Sequence, residues 1–260
     1  MNKKRAMSHE KASYVKLQGH RDAQEFAGLL GIGKEFKSDP KAKKDVIDYE
    51  GYSYSVKSGE KKWQIFLYSK SRFEEDYTFK GMNGIGEIML KCIESFPEDR
   101  NEYVKNKIVY KQNLQGPMRE LCEKLKQKRL LGTFLDKSIF NSGEVDFLVV
   151  KDKGVFHIFL NKDVINVLTN NFEVENSKAR AEGQLDAQKV VFKINGRTIG
   201  EIEMRNESEV HYREIKFWLS KPMTLELLKT SIKNNQNFSD RIVVYGSAIN
   251  KLLKIYKNKK

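Results

Sequence analysis

The segment KKDVIDYEGYSYSVKSGEKKWQIFLY, residues 43–68, holds residue types from which hydrolytic chemistry can be built. It reads as two strand candidates, DVIDYEG and YSYSVKSG, joined by a turn around Glu50–Gly51. Side chains alternate along a strand, so Ser53, Ser55 and Lys57 share one face and Tyr54 and Val56 the other. A three-residue connection at Tyr49–Gly51 sets Asp45 directly across from Ser55, on the face of Lys57; a two-residue turn sets Val46 there instead. A carboxylate is a hard oxygen ligand for a cation such as Mg²⁺. A lysine is a compact positive charge that can offset negative charge developing on a reacting group.

Several elements must position these side chains. From His20 to Leu30 the apolar spacing is helical, with Ala23, Phe26, Ala27 and Leu30 on one face and Gly31 and Gly33 as the stop. Residues 34–44 form a polar connector, and a third strand, KKWQIFLYS, follows the two above. Residues 83–96 and 117–131 carry amphipathic helical patterns, with Pro117 suited to the first turn of the second. From Gly143 the character changes to five β segments: EVDFLVV, GVFHIFL, KVVFKI, RTIGEIEMR and HYREIKFWL. A helix from Thr224 to Ile232 and a basic tail close the chain. The expected division is a flexible basic arm (1–16), a catalytic core (17–100), bridging helices (101–142) and a β-rich region (143–260), with one continuous core as the alternative.

Three further residues extend the pattern. Glu25 lies on the helix before the hairpin, in GHRDAQEFAGLLG, and Gln64 and Tyr68 follow the lysine in WQIFLY. As an ordered set this resembles the PD-(D/E)xK nuclease superfamily, over about residues 17–80, and SVKSG followed by KKWQI resembles its type II restriction endonucleases. The resemblance implies a restriction-endonuclease-like fold, a mixed α/β core with a central mixed sheet flanked by helices, and hydrolysis of phosphodiester bonds in double-stranded DNA with Mg²⁺. It implies a catalytic set of Asp45, Ser55, Lys57 and Gln64, with Asp45 the central metal ligand and Lys57 orienting the nucleophilic water. Ser55 departs from the pattern, which has Asp or Glu there; some restriction enzymes share this serine and bring a glutamate from elsewhere. Glu74 or Glu75 in SRFEED, and Glu25, are the candidates for that metal position. Taken singly, each residue also has an ordinary structural role: a solvated turn aspartate, a loop-edge lysine, a glutamine satisfying backbone, a glutamate on a helix's polar face.

Composition bears on the partner. Lys and Arg total 48 against 35 Asp and Glu, giving +13, which favours a polyanion, nucleic acid first and an anionic membrane surface second; a merely lysine-rich protein is the plain alternative. The β-rich half offers Lys178, Arg180, Gln184 and Gln188 in NSKARAEGQLDAQK, and Arg205, Asn206, His211 and Arg213 in EMRNESEVHYREIK. Arg and Gln can bond base edges bidentately, and the lysine surplus can meet phosphates. Glu201-Ile-Glu203 invites a metal reading, but no strand-borne lysine follows at the right offset, so a structural role is expected. Gly31-x-Gly33 is too short for a nucleotide fingerprint, no P-loop is present, and the histidines lack zinc spacing, so no nucleotide cofactor or zinc is expected.

Cys92 and Cys122 read as reduced, buried thiols. With no signal-peptide pattern and no apolar run long enough to span a bilayer, a cytoplasmic protein without a membrane partner is expected. One candidate site per chain and two strands to cut suggest a homodimer. The competing expectations are a non-catalytic nucleic-acid-binding regulator with a nuclease-like fold, which Ser55 keeps open, and a structure-specific repair nuclease.

Overall fold

The structure, a computed structural model, describes residues 9–33, 36–39, 43–80 and 82–257. The N-terminal part runs α1 (His9–Leu29), β1 (Lys37–Asp39), β2 (Lys44–Ile47), β3 (Ser53–Lys57) and β4 (Lys62–Tyr68). Helices follow: α2 (Lys70–Glu75), α3 (Tyr77–Lys80), α4 (Ile85–Glu94), α5 (Arg100–Lys105), α6 (Lys107–Lys126) and α7 (Lys128–Phe140). Then come β5 (Phe147–Asp152), β6 (Val155–Leu160), α8 (Asn161–Asn171), β7 (Glu173–Asn176), β8 (Lys189–Ile194), β9 (Arg197–Met204) and β10 (Ile215–Ser220). The chain closes with α9 (Lys221–Ser231), β11 (Asn235–Ser239), β12 (Ile242–Tyr245) and α10 (Ala248–Lys257).

Contacts divide the chain into two units: Met1–Lys61 with Ile139–Val167 and Lys221–Lys260, and Lys62–Ser138 with Leu168–Ser220. The second unit therefore consists of two insertions into the first, one between β3 and β5 and one after β6. The segment 17–100, expected as one catalytic core, passes from the first unit to the second at Lys61/Lys62, and the β-rich region contributes strands to both.

The first unit is built on a seven-stranded sheet ordered β1-β2-β3-β5-β6-β12-β11. It is mixed: β3 with β5 and β12 with β6 are parallel, and the other pairs are antiparallel. The stretch Phe147–Val150 is buried throughout, as a central strand covered on both faces requires. On one face, Val46, Tyr54, Phe147, Val149, Phe156, Ile158 and Val244 meet Phe26 and Ala27 of α1 and Ala248 and Leu252 of α10. Phe26 sits edge-on to Tyr54 at 5.4 Å, and Tyr54 stacks on Phe147 at 4.9 Å. Each fully buried side chain of this kind contributes roughly 2–3 kcal/mol.

The second unit has a five-stranded antiparallel sheet ordered β4-β10-β9-β8-β7. One face carries an aromatic core: Phe217 lies 5.7 Å from Phe66, 5.3 Å from Phe192 and 5.3 Å from Phe134 of α7. Cys92 and Cys122 are free and buried, and burial pushes the Cys122 thiol up to about 11.

Four expectations need correction. α1 begins at His9, so residues 9–16 of the expected arm are helical; residues 1–8 lie outside the described residues. The basic tail forms α10, whose Ala248 and Leu252 are buried. Pro117 lies inside α6 rather than opening a helix. It removes one intrahelical bond, yet Leu114, Met118, Leu121, Cys122 and Leu125 are all buried, and packing of that face outweighs a local cost of about 3 kcal/mol. Finally, β1, inside the expected polar connector, and α2, α3, α5, α8, β7, β11 and β12 were not foreseen: they are short or polar, and their patterns become legible only against the neighbours they pack on or pair with. No helix among the described residues is long and apolar enough to cross a membrane.

Candidate active site

The hairpin β2–β3 has the three-residue connection. Val46 pairs with Tyr54 and Ile47 with Ser53, a register that carries on to Asp45 opposite Ser55. Asp48 N donates to Tyr52 O at 2.9 Å and Gly51 N to Asp48 O at 3.1 Å, closing the loop. Gly51 takes φ 86°, a left-handed conformation that costs glycine little. The Asp48 carboxylate organises the turn: it accepts from Glu50 N at 3.1 Å, Tyr52 N at 2.8 Å and the Tyr54 hydroxyl at 2.8 Å. Its burial pushes its pKa up despite those bonds.

This register brings Asp45, Ser55 and Lys57 together. Asp45 Oδ2 accepts from Val56 N at 2.7 Å and Ser55 Oγ at 3.3 Å, and Lys57 Nζ lies 3.8 Å from the same oxygen. None of these contacts uses Oδ1. Ser55 is fully buried, whereas the side chains of Asp45 and Lys57 are 34% and 24% exposed. The cluster thus has a buried neutral end and a solvent-reachable charged end. Mg²⁺ is commonly held by one or two carboxylates, with water and phosphate oxygens completing the shell. Asp45, with Oδ1 outside the hairpin's own bonds, meets the lower of those numbers. Among the described residues no three of His, Cys, Asp and Glu converge to hold a metal.

Glu25 is placed elsewhere. Ala23, Phe26 and Ala27 of its helix pack on the face carrying Val46 and Tyr54, opposite to that of Asp45 and Lys57. Its carboxylate is held by Lys151 through Oε2 and by Arg241 through Oε1, and hydrogen bonds from these two cations hold its pKa down against the opposing cost of burial. Beside it the buried Asp22 also accepts from Lys151 Nζ, at 2.7 Å, and from Gln18 at 3.1 Å. Gln64 and Glu74 belong to the second unit. Gln64 is exposed on β4, paired with Trp218 in register, and Glu74 is half-exposed, 3.5 Å from Lys70. Glu75 is exposed as well.

The expected DNA readers fall into two groups. Lys178, Arg180, Gln184 and Gln188 line a groove of about 980 Å³ in the second unit, together with Lys107, Lys111 and Asn206. Lys178, Arg180 and Gln184 are exposed, and Gln188 donates to Lys111 O at 2.8 Å. The 205–213 segment is tied down instead. Asn206 donates to the Tyr103 hydroxyl at 3.0 Å, His211 lies 2.9 Å from Glu214, and Arg213 lies 3.5 Å from Glu98 with its side chain 19% exposed. Arg205 N donates to Glu214 O at 2.9 Å. On the groove floor Lys189 of β8 holds Glu201 at 2.9 Å and Glu203 at 2.7 Å, which gives Glu-Ile-Glu a structural partner. That lysine comes from the neighbouring strand, so sequence offset along one strand could not find it. Asp22, Lys151 and Arg241 were likewise missed, because a chain read linearly gives no sign that α1, β5 and the β11–β12 turn converge. Scanned against protein-family models, curated proteins and solved structures, the chain matches none.

Proposed function

We propose that this protein is a Mg²⁺-dependent endonuclease acting on double-stranded DNA, of the type II restriction kind. The observation that carries the reading is the placement of Asp45 and Lys57 on one face of the β2–β3 hairpin, 3.8 Å apart, with the charged end open to solvent. Cleaving a phosphodiester requires a cation near the phosphate and a cationic side chain to offset charge on the attacked group. Asp45 would hold the ion, and Mg²⁺ when bound supplies phosphate polarisation and a more acidic water. Lys57 orients the attacking water and meets developing negative charge, and Ser55 keeps the Asp45 carboxylate oriented. Glu25 is left out of the ligand set because its oxygens are already occupied by cations. The net charge of +13 and the exposed Lys178 and Arg180 support a polyanionic substrate.

One observation favours a second reading, a nucleic-acid-binding regulator without catalysis: among the described residues, Asp45 is the single carboxylate in the cluster. A plasmid-cleavage assay separates the two. Nicking and linearisation with Mg²⁺ and silence in chelator are expected. DNA binding without cutting would select the regulator, and cutting in chelator would overturn the metal requirement.

A further inference from the structure

Strand β7 ends at Asn176, and the chain makes a loop before β8 begins at Lys189. Loops are ordinarily loose, but this one is fastened at its base and along its length. Ala187 N donates to Ser177 O at 2.7 Å, and Ser177 Oγ accepts from Gln188 N at 3.0 Å and Lys189 N at 3.2 Å. Within the loop, Gln184 Oε1 accepts from Arg180 N at 3.2 Å. Two carboxamides tie the loop to α6: Gln115 Nε2 donates to Asp186 O at 2.9 Å and Gln188 Nε2 to Lys111 O at 2.8 Å. The loop and the first turns of α6 line the groove of about 980 Å³ together with the sheet.

The charges of this groove are unevenly satisfied. On the floor, Lys189 is neutralised by Glu201 and Glu203, and Lys193 by Glu175. On α6, Lys107 and Lys111 share one carboxylate, Glu207, at 3.1 and 3.2 Å. On the loop, Lys178 and Arg180 are exposed, and among the described residues neither pairs with a carboxylate. An anionic ligand therefore meets cations whose backbone is already ordered, which lowers the entropic cost of binding.

We infer that this groove docks duplex DNA, with Lys178 and Arg180 on its phosphates. Single strands are held largely by bases stacked on aromatic rings. The lining here supplies charged, amide and aliphatic groups, among them Lys178, Gln184 and Leu185, which suit a duplex whose bases already stack on one another. Arg180 and Gln184 carry donors that fit base edges in the wide major groove of B-form DNA, edges that the narrow major groove of an RNA duplex withholds. The inference goes beyond the nuclease reading, since it needs none of the Asp45–Lys57 chemistry.

Binding is measured in chelator, so that cutting plays no part. Full-length protein is titrated against a short fluorescent DNA duplex of arbitrary sequence over a range of salt. At about 0.1 M salt, Lys178→Ala/Arg180→Ala should bind about 10- to 60-fold more weakly than wild type, with a slope of log affinity against log salt shallower by about two. Arg119→Ala/Arg129→Ala removes two exposed cations outside the groove and should stay within about threefold of wild type. An unchanged affinity in the groove variant, or an equal loss in the Arg119/Arg129 variant, overturns the proposal. So does competition by a single strand or an RNA duplex as strong as that by the DNA duplex. Should the groove variant fail to fold, Lys178→Ala alone decides: a slope shallower by about one is expected, and an unchanged slope overturns the proposal. Failure of wild type to cut in Mg²⁺, with these binding differences intact, sinks the nuclease reading and leaves the groove standing.

Discussion

At the scale of single residues the nuclease reading depends most on Lys57. Its ammonium sits at the open end of the cluster, where it can meet a phosphate, and its side chain is too exposed to be a core element. Lys57→Ala should cost roughly 3–4 kcal/mol of transition-state stabilisation, about 10²–10³-fold in single-turnover rate, and more if the attacking water is also misplaced. Binding should change little, since Lys57 is one of 48 lysines and arginines. A structural lysine predicts cleavage within a few-fold of wild type, and that outcome would remove the main support for placing the site on this hairpin. Asp45, Ser55 and Lys57 were legible in the sequence because alternation along a strand and loop length are local rules. Their only free choice was between two- and three-residue turns, and Asp48 settles it by bonding Glu50 N and Tyr52 N. Glu25 was legible as a polar helical residue but not as a partner of Lys151 and Arg241, 126 and 216 residues away along the chain.

Among the elements, the central strands were the easiest to read and the short ones the hardest. The burial of β5 follows from a continuous apolar run and that of β6 from one broken by His157, whereas β11, mostly exposed and polar, is a strand because β12 supplies its ladder. The pairing of β6 with β12 also buries His157, whose Nδ1 lies 3.0 Å from the Tyr245 hydroxyl. Burial, reinforced by Lys229 and Lys221 and opposed by Asp152, pushes this histidine down to about 4 from 6.5. Between those values the unfolded chain binds the proton and the folded chain does not. The stabilisation is therefore complete above about pH 6.5 and is lost as pH falls toward 4. From pH 7 to pH 5 the expected loss is roughly 2 kcal/mol, read from urea midpoints. His157→Gln cannot take up the proton and should lose much less over that interval. Equal losses in the two proteins would show that His157 is not held neutral by this packing. The carboxylates with lowered values, Asp22, Glu25 and Asp152 among them, lose their contribution only as pH falls below their ordinary range, so they leave the upper part of the window to the histidine.

For the whole molecule, charge and site number bear on assembly. Each chain carries +13 and one Asp45–Lys57 hairpin, and on the nuclease reading a duplex presents it with two scissile strands of opposite polarity. A single site meets one strand in the correct orientation, so cutting both at once takes two copies related by a two-fold axis. Two such cationic chains repel one another in free solution, and DNA phosphates relieve that repulsion. A mass near twice 30.3 kDa plus DNA is therefore expected in the complex, with the pairing weaker or absent without DNA. Raising salt should weaken the complex steeply, because bound cationic side chains release condensed counterions from the phosphates. Light scattering on a short duplex containing a mapped cleavage site measures the stoichiometry, and the time course of nicked against linear plasmid measures how the two cuts are coupled. Nicked circles that scarcely accumulate accompany a dimer cutting in concert. A strict monomer on DNA that nicks first and linearises later would contradict the two-fold arrangement while leaving the Asp45–Lys57 chemistry intact.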